Sequence, residues 1–388
     1  MKIRHPNIKT MNTFQTYLFL AGGLLAAHLT QAQVKKWQSG LVKHEAIFES
    51  APFPESHSAT IVETPKGLVT AWFGGTKERN PDVCIYVSRL EKGQWTTPQN
   101  VANGIVNDTL RYPTWNPVLY QIPNGELLLF YKIGPSPSKW QGWMKTSSDG
   151  GLTWSSAKSL PEGYIGPVKN KPILLENGNL FCPTSTEGKG WKIHFEVTAD
   201  QGKTWRKVGP INDGKTLNAI QPSILKHGKG KLQILARSKD RAILESWSND
   251  NGETWSPLAK TNLPNNNSGT DAVTLKDGRQ ALVYNHVLPP GDKAKGPRTP
   301  LNLSISEDGK NWSAAVIIED SPISQYSYPS IIQTSDGLIH VVYTWRRQKI
   351  KHAVIDPKKM KLIPIKDGVW PSIKGYTPPQ GGEMTKDG

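Results

Sequence analysis

Short apolar runs alternate with glycine-containing turns along almost the whole chain. A short run, such as residues 58–63, leads to a turn, and a longer run, such as residues 68–74, follows it. The pattern returns six times at a spacing of roughly fifty residues, with turn glycines at Gly67, Gly125, Gly178, Gly230, Gly278 and Gly337. Apolar or alternating runs bounded by Gly, Pro and Asn are typical of β-strands. A repeat of this length with several strands per unit predicts an all-β fold, a six-bladed β-propeller.

A second motif follows the third predicted strand of several repeats. Residues 147–154, 198–205 and 248–255 share the order Ser/Thr-x-Asp-x-Gly-x-Thr-Trp, and residues 306–312 carry a version one residue shorter. The Asp carboxylate is expected to accept backbone N–H groups across the turn, while Gly takes a left-handed conformation and Trp packs beneath. We therefore predict a structural rather than a catalytic role for these motifs.

The first residues differ in pattern from the rest. Lys2, Arg4 and Lys9 precede an apolar run over residues 17–27, and small residues follow near Ala32. This order predicts a secretory signal peptide over residues 1–32. A membrane anchor is the alternative, but the run is short for a bilayer and no charged stop follows. We expect one propeller domain over residues 33–375, a flexible tail over 376–388, and a periplasmic or secreted protein that is not inserted in the membrane.

The chain is strongly basic. It contains 47 Lys and Arg against 32 Asp and Glu, a formal net charge of +15. Such an excess suits an anionic partner, although it also serves solubility. Nucleic acid is a poor fit, because the chain is expected to be exported and has no clustered basic helix. An acidic glycan or polysaccharide is therefore the expected substrate. Cys84 and Cys182 show no metal-binding spacing and are predicted to be buried, so neither a metal nor another cofactor is predicted. The oligomeric state is left open.

The Asp-containing motifs resemble the Asp boxes of the sialidase superfamily, and residues 45–356 resemble the six-bladed propeller of that family. The resemblance implies an axial pocket where arginines hold a substrate carboxylate through paired hydrogen bonds. Arg237 and Arg298 match family arginines, and Tyr328 stands where the last blade carries a tyrosine nucleophile. Such a nucleophile avoids the repulsion between a carboxylate and an anionic sugar. Asp82 resembles the acid/base aspartate of the family, and its neighbour Arg79 is expected to reach the same site.

Two positions depart from the family's pattern. His57 occupies the place of a first-blade arginine, and Ala219 the place of the glutamate that would deprotonate the tyrosine. Without that base a phenol is a weak nucleophile. We therefore consider an acid–base set of His57 with His286 or Asp82, because an imidazole carries protons near neutral pH.

The repeat brings further polar residues toward the axis. The predicted catalytic set is Tyr328, Asp82 and His57. Arg346 and Arg347 directly follow the predicted strand over residues 338–345. Strand alternation favours Arg346 as the one that points toward the axis. The predicted substrate-binding set is Arg237, Arg298, Arg79, Asn116, Lys132, Asn285, His286 and Arg346.

The leading hypothesis is an exported sialidase-like glycoside hydrolase that acts on an acidic sugar of a glycan or polysaccharide. A uronic-acid polysaccharide lyase on the same fold is the nearest rival, because elimination needs a neutralised carboxylate and a His or Tyr base but no nucleophile. A non-catalytic glycan-binding propeller is the rival from another class, and the missing glutamate at Ala219 is its main support.

Overall fold

The structure is a computed structural model that describes residues 37–321 and 325–372, and in these ranges the chain folds into β-strands. The predicted signal peptide over 1–32 and the predicted tail over 376–388 lie outside the described residues. Within the described ranges, no helix has the length and apolar character that a bilayer crossing requires.

The first three blades follow one another along the chain, and their strands pair in order within each blade. Strand β1 (Leu41–Ala46) precedes them but belongs to the last blade. Blade one contains β2 (Glu55–Thr64), β3 (Gly67–Gly75), β4 (Cys84–Glu91), β5 (Gln94–Trp95) and β6 (Gln99–Ala102). Blade two contains β7 (Thr114–Gln121), β8 (Leu127–Ile133), β9 (Gln141–Ser147) and β10 (Lys158–Ser159). Blade three contains β11 (Ile173–Leu174), β12 (Leu180–Thr186), β13 (Lys192–Thr198) and β14 (Arg206–Val208).

The last three blades complete the ring. Blade four contains β15 (Ala219–Lys226), β16 (Leu232–Ser238), β17 (Ala242–Ser248) and β18 (Ala259–Pro264). Blade six contains β23 (Tyr326–Gln333), β24 (Ile339–Trp345), β25 (Lys349–Ile355) and β1. Blade five contains β19 (Asp271–Thr274), β20 (Gln280–Tyr284), β21 (Leu301–Ser306), β22 (Trp312–Glu319) and β26 (Ile363–Pro364). The predicted six-bladed propeller is confirmed.

The N-terminal strand closes the ring. β1 pairs antiparallel with β25, so that Glu45 lies opposite His352 and Leu41 opposite Ile355. The Glu45 carboxylate also accepts a hydrogen bond of 3.1 Å from Trp95 Nε1 of blade one. The last blade is thus completed by the beginning of the described chain, which also contacts the first blade.

The core lies between neighbouring blades. Val283 and Leu303 of blade five, for example, pack in one buried cluster with Val341 and Tyr343 of blade six. Each blade buries an apolar face against the next, as the repeat of apolar runs predicted. The axial ends of the innermost strands are thereby held on a rigid frame.

The Asp boxes have the predicted structural role. In the second blade, Asp149 Oδ1 accepts the backbone N–H groups of Leu152 and Thr153 at 3.0 and 2.9 Å. Its Oδ2 accepts the Thr153 hydroxyl at 2.5 Å, and Gly151 has a φ of 86°. The carboxylate therefore accepts hydrogen bonds from backbone N–H groups that would otherwise lack an acceptor in this tight turn.

These carboxylates make the stability of the fold depend on acid pH. The backbone N–H and then the hydroxyl of Thr204 lower the pKa of Asp200 to about 2, and bonds from Thr254 lower that of Asp250 to about 2. A depressed pKa contributes stability that is present above the unfolded value of 3.8 and lost as the pH falls toward 2. We expect the thermal midpoint to fall over this window, and to fall less in the double variant Asp200→Asn/Asp250→Asn. Asp108→Asn, in an exposed loop, is the control. An unchanged pH slope in the double variant would contradict the prediction.

Candidate functional site

One strained backbone position recurs near the axis in every blade. The position has a left-handed φ between 31 and 72° without being glycine, and its members are Ser58, Asn116, Lys169, Gln221, Asn267 and Tyr328. In blades one, two, four and six it coincides with a register shift between the two innermost strands. Bulges of this kind turn a side chain away from its regular direction and are frequent next to functional sites.

Four of these side chains line one pocket. It has a volume of about 690 Å³, and all six blades and their loops contribute to its wall. Lysine and arginine side chains outnumber the acidic ones there, so the pocket suits an anion. The lining includes Glu55, His57, Lys77, Glu78, Arg79, Trp115, Asn116, Trp140, Glu187, Trp191, Gln221, Arg237, Lys239, Asn267, Lys295, Arg298, Tyr328 and Arg347.

Two arginines from adjacent blades meet at Tyr328. Arg237 Nη1 donates to Tyr328 Oη at 2.6 Å, and Arg237 Nε donates to Asn267 Oδ1 at 3.0 Å. The guanidinium carbons of Arg237 and Arg298 lie 5.7 and 5.6 Å from the centre of the Tyr328 ring. Burial lowers the pKa of Arg298 to about 10, which leaves it charged at neutral pH. The two predicted carboxylate-binding arginines therefore face the same small volume.

His57 lies against the same tyrosine as a neutral imidazole. The two ring centres are 4.2 Å apart, and His57 Nδ1 lies 2.8 Å from Thr344 Oγ1. Burial, followed by the positive charges of Arg347, Arg298 and Arg237, holds the pKa of His57 well below its usual value. The side chain at the position where the resemblance places an arginine therefore adds no charge to the pocket.

Residues 66–341 match the family described as a BNR repeat-like domain. The chain belongs to this family. The BNR-repeat protein is 22% identical to the sialidase of Micromonospora viridifaciens over 171 aligned residues. The aligned region covers 41% of this chain and 26% of the relative. The match thus spans about a quarter of that relative's length.

Solved structures with the same architecture include several sialidases. The NanB sialidase of Streptococcus pneumoniae aligns with a TM-score of 0.64 at 13% identity, over 82% of this chain and 71% of that one. The intramolecular trans-sialidase of Ruminococcus gnavus gives 0.64 at 14%, over 84% and 99%. A protein of unknown function from Dyadobacter fermentans gives 0.66 at 16%, over 81% and 98%. At these identities the likeness shows the fold, and together with the family match it confirms membership of the sialidase superfamily.

Ala219, where the resemblance places the missing glutamate, lies away from the Tyr328 oxygen in this BNR-repeat protein. Ala219 begins β15 and is fully buried in the apolar cluster that contains Ile193 and Leu244. The phenol oxygen of Tyr328 instead has Arg237 and Gln221 as partners, with Gln221 Nε2 at 3.4 Å. Donors rather than a carboxylate therefore surround this oxygen.

The inward arginine of blade six is Arg347, which corrects the expectation for Arg346. Both residues have a left-handed φ, 52 and 57°, and the Gln348 N–H closes the turn onto the Trp345 carbonyl at 3.0 Å. Strand alternation ends at Trp345, so it does not decide where the two turn residues point. Arg347 lines the pocket and pairs with Glu78, whereas the Arg346 guanidinium carbon lies 4.6 Å from the Trp345 ring centre.

Asp82 and Lys132 also lie away from the pocket lining, contrary to expectation. Asp82 Oδ2 accepts both the N–H and the hydroxyl of Thr76 at 2.7 Å, so the carboxylate is engaged at the base of its own loop. Lys132 is fully buried and donates to the Pro167 carbonyl, and burial lowers its pKa to about 7. Neither residue lines the pocket.

Asn285 and His286 also differ from the expectation, because they join structural elements outside the pocket lining. Asn285 Nδ2 donates to the carbonyls of Pro300 and Tyr326 at 2.8 and 2.9 Å. His286 contacts the Tyr284 hydroxyl and the Gly368 carbonyl, and burial lowers its pKa to about 4. Both follow β20, and their bonds hold neighbouring segments together. Arg79 and Asn116 do line the pocket, as expected.

Several lining residues were absent from the predicted set. Gln221 carries a detectable signal, because it stands nine residues before its turn glycine, as Tyr328, Ser58, Asn116 and Lys169 do. Glu187, Trp191 and Asn267 share no such offset and are brought to the pocket by loops around blades three to five.

Proposed function

We propose that this protein is a glycoside hydrolase of the sialidase family that cleaves the bond of a carboxylate-bearing sugar. The observation that carries the proposal is the gathering of Arg237, Arg298 and Arg347, from three successive blades, in the pocket that contains Tyr328. Guanidinium groups bind a carboxylate through parallel, charge-assisted hydrogen bonds. The excess of basic residues in the lining supports the same class of substrate.

The arrangement supports distinct roles for these residues. Arg237 and Arg298 face the ring of Tyr328 and hold the carboxylate, while Arg347 is paired with Glu78 at the edge of the same space. Tyr328 attacks the anomeric carbon as the glycosidic bond breaks, and its phenol proton is released to solvent. The Arg237 guanidinium at 2.6 Å stabilises the negative charge that develops on the phenol oxygen. Trp191, whose ring centre lies 5.1 Å from the Arg237 guanidinium carbon, offers a face to the sugar. We further propose that the protein is exported to the periplasm or secreted.

A panel of glycans tests this function. The purified protein is incubated with methylumbelliferyl N-acetylneuraminide, nitrophenyl glucuronide, sialyllactose and uronic-acid polysaccharides, with nitrophenyl galactoside as the uncharged control. We expect new reducing ends or released aryl groups from at least one carboxylated substrate and none from the galactoside. Binding of carboxylated sugars without turnover would favour a glycan-binding propeller. Neither binding nor turnover of any of them would overturn the proposal.

A uronic-acid lyase is the second candidate, and His57 is the observation that favours it. The imidazole is kept neutral beside Tyr328, and the phenol oxygen of this tyrosine contacts Arg237 and Gln221 rather than a carboxylate. In β-elimination a base takes the proton next to the neutralised carboxylate, the leaving oxygen departs, and a carbon–carbon double bond remains. The unsaturated product absorbs ultraviolet light, so this absorbance in the panel identifies a lyase, and reducing ends without it identify a hydrolase.

A further inference from the structure

A second cavity borders the axial pocket. A groove of about 280 Å³ lies between blades two and three and shares Pro137, Trp140 and Glu187 with the wall of the pocket. Its remaining lining includes Lys189 and Lys192. The two spaces therefore border on each other at one carboxyl group and one indole ring.

Glu187 differs from the other carboxylates that line the pocket. Glu78 forms an ion pair with Arg347, and Glu55 accepts the Glu78 backbone N–H at 3.4 Å, so both already have a donor partner within the protein. Burial raises the pKa of Glu187, and the charges of Arg237 and Lys239 oppose this shift only in part. Among the described residues of the lining, Glu187 is thus the carboxyl group whose surroundings favour the protonated form.

We propose that Glu187 is the general acid of this site, and that the substrate is an oligosaccharide with its acidic sugar in the axial pocket and its leaving saccharide in the groove between blades two and three. The inference rests on the proposed hydrolase function. It follows from position, because the bond that joins a sugar in the pocket to one in the groove passes the residues that the two spaces share.

The proposed reaction begins with protonation of the leaving group. Glu187 gives its proton to the glycosidic oxygen while the bond from that oxygen to the anomeric carbon breaks, and the electron pair of the bond stays on the oxygen. The leaving saccharide departs as an alcohol. Tyr328 Oη bonds to the anomeric carbon in the same step, and its phenol proton is released to solvent. Water then gives its hydroxyl group to the anomeric carbon as the bond from Tyr328 breaks. The phenol oxygen takes a proton back from solvent, and the second proton of the water returns to Glu187. A carboxyl group whose pKa is raised by burial is suited to this task.

The groove also indicates what kind of saccharide leaves. Trp140 lies with its ring centre 6.0 Å from that of Trp115, and both rings line the axial pocket, so an aromatic wall continues from the pocket into the groove. Sugar rings pack on such faces. Lys189 and Lys192 add positive charge beyond the indole, which favours a leaving saccharide that itself carries anionic groups.

The test compares two leaving groups on one acidic sugar. Sialyllactose is paired with methylumbelliferyl N-acetylneuraminide, and a glucuronyl disaccharide with nitrophenyl glucuronide, because an aryl leaving group needs little protonation. We expect Glu187→Gln to lower kcat/KM on the oligosaccharide by roughly 10²–10⁴ and on the aryl glycoside by less than about tenfold. Trp140→Ala should raise KM for the oligosaccharide roughly two- to tenfold, with little change for the aryl glycoside. Glu253→Gln and Trp247→Ala, which lie outside both cavities, are the matched controls.

The outcomes separate this inference from the function on which it rests. Turnover by the native protein with equal losses on both leaving groups, or with no loss in Glu187→Gln, overturns the assignment of the acid and leaves the hydrolase intact. If the native protein turns over the oligosaccharide and Trp140→Ala has the same KM for it as Trp247→Ala, the groove does not bind the leaving saccharide. If calorimetry with free N-acetylneuraminic and glucuronic acids and their oligosaccharides detects no binding, the proposed function fails, and this inference fails with it.

Discussion

Arg237→Ala is expected to remove nearly all turnover of carboxylated sugars. The side chain is 7% exposed and donates to both Asn267 and Tyr328. Truncating one partner of a buried, charged hydrogen-bonded contact costs about 2–5 kcal/mol. In kcat/KM this corresponds to a loss of roughly 30- to 5,000-fold. The measurement is steady-state kinetics on the best substrate of the glycan panel.

Two companion variants make the Arg237 result specific. Arg237→Lys keeps the charge but loses the planar fork, so we expect it to recover only a small part of the activity. Arg206→Ala, which removes an exposed ion pair with Glu253, should leave the kinetics unchanged. Thermal unfolding of all three variants checks the fold. A folded Arg237→Ala protein with native kcat/KM would exclude a carboxylate-binding role for this residue.

Tyr328→Phe is expected to have the largest effect on kcat. The substitution removes one oxygen, the acceptor of the Arg237 bond, and leaves the ring that packs against His57. If the phenol oxygen forms the bond to the anomeric carbon, its removal should lower kcat by roughly 10⁴–10⁶, as loss of an enzymatic nucleophile does. Substrate binding should survive, because both arginines remain.

The reaction course gives an independent check on Tyr328. A covalent intermediate on this residue requires the product to keep the anomeric configuration of the substrate, which NMR of the first product shows directly. In Tyr328→Phe we expect no covalent intermediate to accumulate and no burst of product in the pre-steady state. Turnover within tenfold of the native protein would remove Tyr328 from the chemistry and leave His57 as the candidate base.

The sequence predicts the fold and the centre of the site well, because each depends on a repeating pattern. Apolar runs and turn glycines mark the blades, and Arg237, Arg298 and Tyr328 stand at positions that the resemblance singles out. The nine-residue offset of Tyr328 and Gln221 from their turn glycines reflects one bulge repeated in several blades. Such an offset is legible in the sequence before any coordinates are known.

The predictions fail where local geometry overrides the repeat. Lys132 and Asn285 lie near the ends of inner strands, but an offset does not tell which side of the blade a residue faces. The alternation of side-chain directions along the strand favours Arg346, but this alternation stops at the turn. Glu187 follows β12 in a loop with no periodic signal, so its contact with the pocket depends on tertiary packing that no local pattern encodes.

The pairing of β1 with β25 has a consequence for how the molecule comes apart. Open repeat proteins can fray from a terminal unit, since each unit contacts only its neighbours. Here Leu41 and Ile355, which are far apart in the sequence, share one sheet. Loosening either strand therefore weakens the same sheet, and we expect melting in a single cooperative step rather than blade by blade.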